Sequence, residues 1–241
     1  MLEGLDILEV GSGAGRFSSV VLSNTKANLW SVDYSSSVDV NYNTNSHIAP
    51  ERFHLFQASI YELPFSDNSF DKVFCFGVLQ HTPDFNASVK ALIDKAKPGS
   101  EIVVDFYAVK GWWTKIHSKY ILRPFTKRLS HSRLLSIIHK NINWMIVLFD
   151  FLHSLGLGFF NRFIPIADLR CLPKNLTYDE RREWAILDTF DAFSPTFDNP
   201  QRIENVVKMF EHSGAQVTFA GIVDFDGGSA PVVRAIKKIH H

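Results

Sequence analysis

The sequence predicts an α/β fold, a mostly parallel sheet with helices on both faces, interrupted by a helical insertion. Three observations carry that expectation. Short apolar strands alternate with helices through the first hundred residues; the first strand runs straight into the glycine-rich turn Glu9-Val10-Gly11-Ser12-Gly13-Ala14-Gly15; and the regular pattern breaks near residue 108, resuming at Asn199-Pro200. Strands that alternate with helices build parallel sheets through right-handed crossovers.

In order, residues 5–10 read as a β-competent apolar strand and 16–23 as the start of a helix. Residues 28–33 form a second strand ending on an acid, Asp33, and 53–57 a third. Residues 70–77 are nearly all apolar, as a central strand covered on both faces should be. A helix over 83–97 has Pro83 in its first turn and Pro98-Gly99 as its stop. A fifth strand covers 102–108. After the interruption, residues 201–213 put Ile203, Val206, Val207 and Phe210 on one helix face before Gly214. Strands at 215–223 and 231–239 close the sheet around a Gly227-Gly228 turn. Residues 1–107 and 199–241 are therefore expected to form the core and 108–198 the insertion.

The chain has 241 residues, 46% of them hydrophobic, and equal numbers (25 each) of basic and acidic side chains, so net charge identifies no partner. Its distribution says more. Residues 106–149 hold eight Lys or Arg (Lys110, Lys115, Lys119, Arg123, Lys127, Arg128, Arg133, Lys140) and no acid, interleaved with Trp112, Trp113, Tyr120, Phe125 and Trp144. This block reads as helices broken at Gly111 and Pro124. The apolar stretch 142–160 contains Asp150, His153, Gly156 and Gly158, and reads as a core or lid helix rather than a span. Cys75 lies in an apolar run and is expected to be a buried thiol. No Cys/His cluster has zinc spacing, so no metal is expected. The N-terminus lacks the basic and apolar regions of a signal peptide, making a cytoplasmic location, with membrane-peripheral contact, the expectation. His240 and His241 are given no role.

Strand, glycine turn and helix together suggest a nucleotide-type site. Glycines let the backbone bend and a ligand approach, and the helix start offers free N–H groups. Asp33, 18 residues after Gly15, is placed to accept ribose hydroxyls. The dinucleotide fingerprint G-x-G-x-x-G would need a small residue where Arg16 stands. Glu9 would repel a pyrophosphate but suit a ligand carrying an ammonium and a sulfonium.

These residues resemble the first motif of the class I S-adenosylmethionine-dependent methyltransferases, in their small-molecule branch. Ser31-Val32-Asp33-Tyr34-Ser35 is similar to the family's ribose-binding strand end. Gln57-Ala58-Ser59-Ile60, Leu63-Pro64-Phe65 and Ser69-Phe70-Asp71 resemble its third motif and the run into strand four. Gly77-Val78-Leu79-Gln80-His81-Thr82-Pro83-Asp84 resembles the strand-four exit, and Lys97-Pro98-Gly99-Ser100 the turn before strand five. The resemblance implies a Rossmann-like seven-stranded sheet, S-adenosyl-L-methionine as cofactor and S-adenosyl-L-homocysteine as product. It implies that Gly11, Gly13 and Gly15 frame the methionine part, that Glu9, Ser12 and Arg16 also belong to the cofactor site, that Asp33 holds the ribose, that Tyr34 and Ile60 flank the adenine, and that Gly77, Val78 and Leu79 lie beside the sulfonium. Ser59 stands where the family usually has Asp or Glu facing the adenine amino group. A hydroxyl there can still accept, without charge. The helix that often precedes strand one is missing, so either the insertion closes the cofactor site or the chain is shortened.

Methyl transfer from a sulfonium is an in-line displacement in which the protein aligns the reactants and excludes water. A base is needed only when the acceptor holds a proton. His81, after strand four, is the first candidate. Asp188 and Asp191, within Leu187-Asp188-Thr189-Phe190-Asp191, are candidates for touching the acceptor, and Tyr107 a further one. The structural alternatives are a hydrogen bond within its own loop for His81, packing for Tyr107, and capping or turn formation for Asp188 and Asp191. The basic block reads as a solvated cationic face, as a footprint for a small anionic, sugar- or lipid-linked acceptor beside an anionic membrane, or as a nucleic-acid surface. Aliphatics such as Leu134, Leu135, Ile137 and Ile138 argue against the last, so nucleic acid is not expected. A non-catalytic cofactor-binding protein and an NAD-dependent oxidoreductase are the alternative functions.

Overall fold

In the computed structural model, residues 2–109, 111, 116–172, 175–225 and 228–239 are described. Lys110, Trp112, Trp113 and Lys115 of the basic block, Gly227 of the expected turn, and His240 and His241 lie outside them.

The elements in chain order are β1 (Asp6–Val10), α1 (Arg16–Asn24), β2 (Asn28–Asp33), α2 (Ser37–Asn45), β3 (Phe53–Gln57), β4 (Phe70–Cys75), α3 (Phe85–Lys95), β5 (Ala96–Asp105), α4 (Ser118–Thr126), α5 (His131–Ser154), α6 (Tyr178–Phe193), α7 (Ile203–His212), β6 (Ala215–Phe225) and β7 (Gly228–Lys237). The seven strands form one sheet in the order β3-β2-β1-β4-β5-β7-β6. It is parallel from β3 to β5, and β7 runs antiparallel to β5. This is the Rossmann-like class read from the sequence.

The chain divides into two compact units. One comprises residues 1–108, 199–223 and 230–241; the other comprises 109–198 with 224–229. In the first, both sheet faces are covered. Leu22 of α1 packs with Ile7 and Leu29 on one face. Val89, Leu92 and Ile93 of α3 and Val206 and Phe210 of α7 pack with Leu8, Val73, Cys75 and Ile102 on the other. Cys75 is a buried free thiol, its pKa pushed far up by burial.

Three local expectations are corrected. Pro83 precedes α3, because the Asp84 carboxylate caps the helix by accepting from Ala87 N–H at 3.0 Å. Pro98-Gly99 lies within the irregular start of β5, where the β4–β5 register shifts between Phe70 and Lys72, so the helix stops earlier, at Lys95. Pro124 lies inside α4, in its last turn. Helix α2 carries no apolar period in its polar sequence SVDVNYNTN, and Asn41 and Asn45 face inward. Its burial is polar, so periodicity is silent there.

The second unit is built on α5 and α6. Leu134, Ile138, Ile142, Met145, Ile146 and Phe149 form the inward stripe of α5, meeting Ala185, Ile186 and Phe193 of α6. A capping box between Thr177 and Glu180 starts α6. Helix α5 has the length and composition to cross a membrane, but its Asp150 accepts two hydrogen bonds of 2.7 Å from Arg181 of α6. A stripe packed on a partner helix with a cross-helix ion pair is the arrangement of a unit's core helix.

Candidate functional site

The site of the first unit is the turn between β1 and α1. Gly11, Gly13 and Gly15 have φ of 84°, 52° and 89°, the left-handed region that L side chains rarely enter. A Cβ on Gly11 would fall 2.1 Å from Val78 Cγ2, and one on Gly15 would fall 2.1 Å from Asn41 Oδ1. These two glycines are required by close packing inside the protein. Gly13 differs, since a Cβ there meets nothing within 4 Å. It is the open side of the turn, where a ligand can approach the backbone.

Two acids hold the turn, from different sides. The Asp33 carboxylate, at the end of β2, accepts from Gly13 N–H at 2.7 Å and from Ser35 N–H and Oγ at 2.8 and 2.7 Å. Glu9 is 2% exposed and lies beneath the turn. Its Oε2 accepts from Ser18 and Ser31 hydroxyls at 2.6 and 2.5 Å. Asn41 donates to Ser18 Oγ, and Asn45 donates both to Asn41 and to the Gly15 carbonyl at 2.9 Å. This buried chain ties β1, β2, α1 and α2 to the last glycine of the turn. Burial raises the Glu9 carboxyl above the ordinary glutamate range, and the two serine hydroxyls partly offset it.

The strand-four exit lies on the same side of the sheet, as the Gly11–Val78 approach requires. Gly77 has φ 73° with open space at its Cβ position, and its N–H donates to the Asp105 carboxylate at the end of β5. Burial pushes the Asp105 carboxyl up, partly offset by that N–H. Leu79 is fully buried and Val78 half-buried. His81 ends a short 3-10 turn, Leu79–His81, with its ring edge-on to Tyr107 at 5.5 Å between centroids. The structure thus brings Gly11, Gly13, Asp33, Gly77, Val78, His81 and Tyr107 to the carboxyl ends of β1, β2, β4 and β5, where open α/β sheets bind ligands.

The remaining expected positions are spread around this centre. Tyr34 is 80% exposed and Ile60 7%. Ser59 Oγ accepts from Tyr61 N–H at 3.3 Å. Ser12 is buried, and Arg16 is exposed beside the Phe17 ring. Asp188 and Asp191 sit three residues apart on α6, in the other unit.

Sequence reasoning missed two residues in this unit. Asp105 ends its strand on an acid as Asp33 does, a signal that was available. Gln80 is fully buried, and neither atom of its side-chain amide has a hydrogen-bond partner among the described residues. Its backbone carbonyl accepts from Asn199 N–H at 2.7 Å, and Asn199 Nδ2 donates to Thr82 O, so the chain returning at 199 is fastened to the strand-four exit.

Residues 8–104 match the family described as Methyltransferase domain. A tRNA U34 carboxymethyltransferase from Nautilia profundicola is 27% identical over 110 residues, 46% of this chain and 37% of that one. Its counterpart in Idiomarina loihiensis is 31% identical over 117 residues, 46% of this chain and 35% of that one. The match thus spans about a third of the length of these curated relatives. Among solved structures, a SAM-dependent methyltransferase from Methanosarcina mazei superposes with TM-score 0.59 at 14% identity, over 100% of this chain and 95% of that one.

The expectation against nucleic acid, and the small sugar- or lipid-linked partner put in its place, is overturned by these relatives, which are named for a tRNA. The physical error is visible in α5. Of the four aliphatics taken as evidence against an RNA surface, Leu134 and Ile138 are 3% and 4% exposed and Leu135 packs against the same core, so these three say little about the outer face; Ile137 alone stands 50% exposed.

Proposed function

We propose that this chain, whose residues 8–104 fall in the methyltransferase-domain family and whose sheet is of the class I S-adenosylmethionine-dependent type, is an S-adenosylmethionine-dependent transferase acting on a nucleic acid, a tRNA in the first instance. The observation that carries the cofactor reading is the pairing of Gly13, open to approach, with the Asp33 carboxylate directly behind it. The residues fit the cofactor. The backbone at Gly13 can lie against its amino-acid part, the Asp33 carboxylate can accept from ribose hydroxyls while still holding Gly13 N–H, and Tyr34 and Ile60 can flank a flat base. Bound there, S-adenosylmethionine supplies the transferable carbon and the neutral thioether leaving group.

The chain's own residues do the rest. Asp105 fixes the Gly77 backbone in its left-handed turn, which sets where Val78 and Leu79 stand. His81, held edge-on by Tyr107, is the residue proposed to take the acceptor's proton when that acceptor is a hydroxyl or ring nitrogen. Asp188 and Asp191 are proposed to contact the acceptor from α6. The nucleic-acid reading rests on the relatives' name and on the acid-free basic block, whose inward aliphatics leave Lys127, Arg128, Arg133 and Lys140 outside the core.

The test has two parts. Calorimetric titration with S-adenosylhomocysteine and with NAD should give binding of the first only. Incubation with S-adenosylmethionine labelled in its methyl group and unfractionated tRNA should label the tRNA. Binding of NAD instead would end the cofactor reading, and labelling of protein or lipid but not tRNA would end the acceptor reading.

A further inference from the structure

The loop after β3 is tied to the start of α3 by a side chain that has no part in the site described above. Residues 59–62 form a β-turn closed by Glu62 N–H, which donates to the Ser59 carbonyl at 2.9 Å. Ile60 and Tyr61 are its two central residues. Ile60 is 7% exposed and belongs to the core of the sheet unit. Tyr61 is 40% exposed, and its hydroxyl reaches Asp84, 23 residues on.

That hydroxyl holds both main-chain groups of Asp84. It accepts from Asp84 N–H at 2.9 Å and donates to the Asp84 carbonyl at 2.9 Å. Ser88 Oγ lies 3.1 Å from the same hydroxyl and donates to the same carbonyl at 2.8 Å. Asp84 is the N-cap residue of α3, and a helix leaves the amides of its first turn without partners. The Asp84 carboxylate meets one of them, on Ala87, and the Tyr61 hydroxyl meets Asp84's own. Water could satisfy a phenol as exposed as this one, so the contacts order the loop rather than remove a desolvation penalty.

The two ends of the tie lie at functional positions. Ala58 N–H donates to the Asp33 carbonyl at 3.0 Å, so the loop begins on the strand end that faces the ribose. Asp84 ends the strand-four exit, where Asp105 holds Gly77 N–H and Asn199 holds the Gln80 and Thr82 carbonyls. Tyr61 joins the loop to that braced segment. Tyr34, the other residue expected beside the base, is 80% exposed.

We propose that Tyr61 is a positioning residue for the adenine end of the cofactor: its hydroxyl, braced on Asp84, holds the 59–62 turn so that Ile60 is set as one wall of the base site before the ligand arrives. The inference rests on the cofactor reading, in which Tyr34 and Ile60 flank the base. It adds that the Ile60 wall is set from α3. A wall ordered beforehand costs less to order on binding, and the saving appears as affinity for the base alone.

Isothermal titration of the full chain with three ligands tests it: S-adenosylhomocysteine, 5′-methylthioadenosine, which keeps base and ribose, and S-ribosylhomocysteine, which lacks the base. Tyr61→Phe keeps the ring and removes the hydroxyl. It should bind the first two about tenfold more weakly than the parent chain does, and S-ribosylhomocysteine equally well. A loss of general stability would weaken all three alike. In the free variant, hydrogen exchange of the Asp84 and Glu62 amides should be at least tenfold faster, a readout that needs no ligand. Equal weakening of all three ligands, unchanged S-adenosylhomocysteine binding, or unchanged exchange at both amides overturns the proposal. A parent chain that binds none of the three removes the cofactor reading and this inference with it. A parent chain that binds S-adenosylhomocysteine, with a variant that binds it equally well, removes this inference alone.

Discussion

Gly13 N–H donates to the Asp33 carboxylate at 2.7 Å across 20 residues of sequence, joining the open point of the glycine turn to the end of the neighbouring strand. The bond fixes the turn before any ligand arrives, and it presents the carboxylate to whatever the turn binds. Asp33→Ala removes a charge-assisted hydrogen bond worth about 1.5–3 kcal/mol together with the ribose acceptors. S-adenosylhomocysteine affinity, read by calorimetry, should fall at least tenfold. Asp33→Asn keeps an oxygen for Gly13 and should lose less than the alanine variant. Equal losses would show that the turn's anchoring does not contribute.

The approach of Gly11 to Val78 gives a second, separable expectation. Gly11→Ala places a Cβ 2.1 Å from Val78 Cγ2 at a φ of 84°. Clash and backbone strain together should cost about 2–4 kcal/mol. Val78→Ala removes the nearest methyl but not the strain, so the double variant should recover part of the loss. A double-mutant cycle on unfolding free energies measures the coupling, which should exceed about 1 kcal/mol. Strict additivity would mean that the loop moves away rather than clashes.

Legibility followed the kind of physics each element uses. Strands β1 to β5 and helix α7 bury apolar side chains at regular spacing, so composition and period revealed them. Helix α2 buries Asn41 and Asn45 in a hydrogen-bond chain to Ser18 and Gly15, and no hydrophobic pattern records that. Gly11, Gly13 and Gly15 were legible as a turn, but only the three-dimensional neighbours separate Gly13, facing open space, from two glycines held by Val78 and Asn41. Asp105 was readable by analogy with Asp33 and was passed over. The orphan amide of Gln80 was not readable, because burial of a polar side chain is a property of its surroundings.

Glu9 predicts a pH dependence. Its folded carboxyl sits above the ordinary glutamate value because burial outweighs the two serine hydroxyls. The folded chain therefore holds a proton that the unfolded chain has released. Stability from this group is present below the unfolded value and declines as pH rises from about 4.3 toward the raised folded value. Glu9→Gln removes the titration. Urea unfolding from pH 4 upward should show a flatter stability profile in the variant than in the parent chain, and identical slopes would refute the assignment.

His81 predicts a kinetic split. If it takes the acceptor proton, His81→Gln should lower tRNA labelling by about 10²–10⁴-fold while leaving S-adenosylhomocysteine affinity within twofold. Asp188→Asn and Asp191→Asn should instead raise the tRNA concentration needed for half-maximal rate. If all three variants turn over normally, the acceptor contacts lie elsewhere.

The last expectation concerns the second unit alone. Asp198, its side chain 2% exposed, lies 3.0 Å from Lys119 Nζ and 3.9 Å from Arg123 Nε. Arg123 also donates to the Ala192 and Pro195 carbonyls, so α4 is held to the end of α6 and the segment after it through one guanidinium and one carboxylate. Burial lowers the Lys119 pKa, and Asp198 opposes that fall. Removing one partner of a buried pair strands the other charge, at about 3–5 kcal/mol, whereas replacing the pair by apolar groups of similar size is close to neutral. Asp198→Asn should therefore lower Tm markedly and speed amide exchange in α4. Asp198→Leu combined with Lys119→Met should recover most of the loss. A double variant as unstable as Asp198→Asn would mean that the carboxylate acts through Arg123, the longer of its two contacts, and not through Lys119.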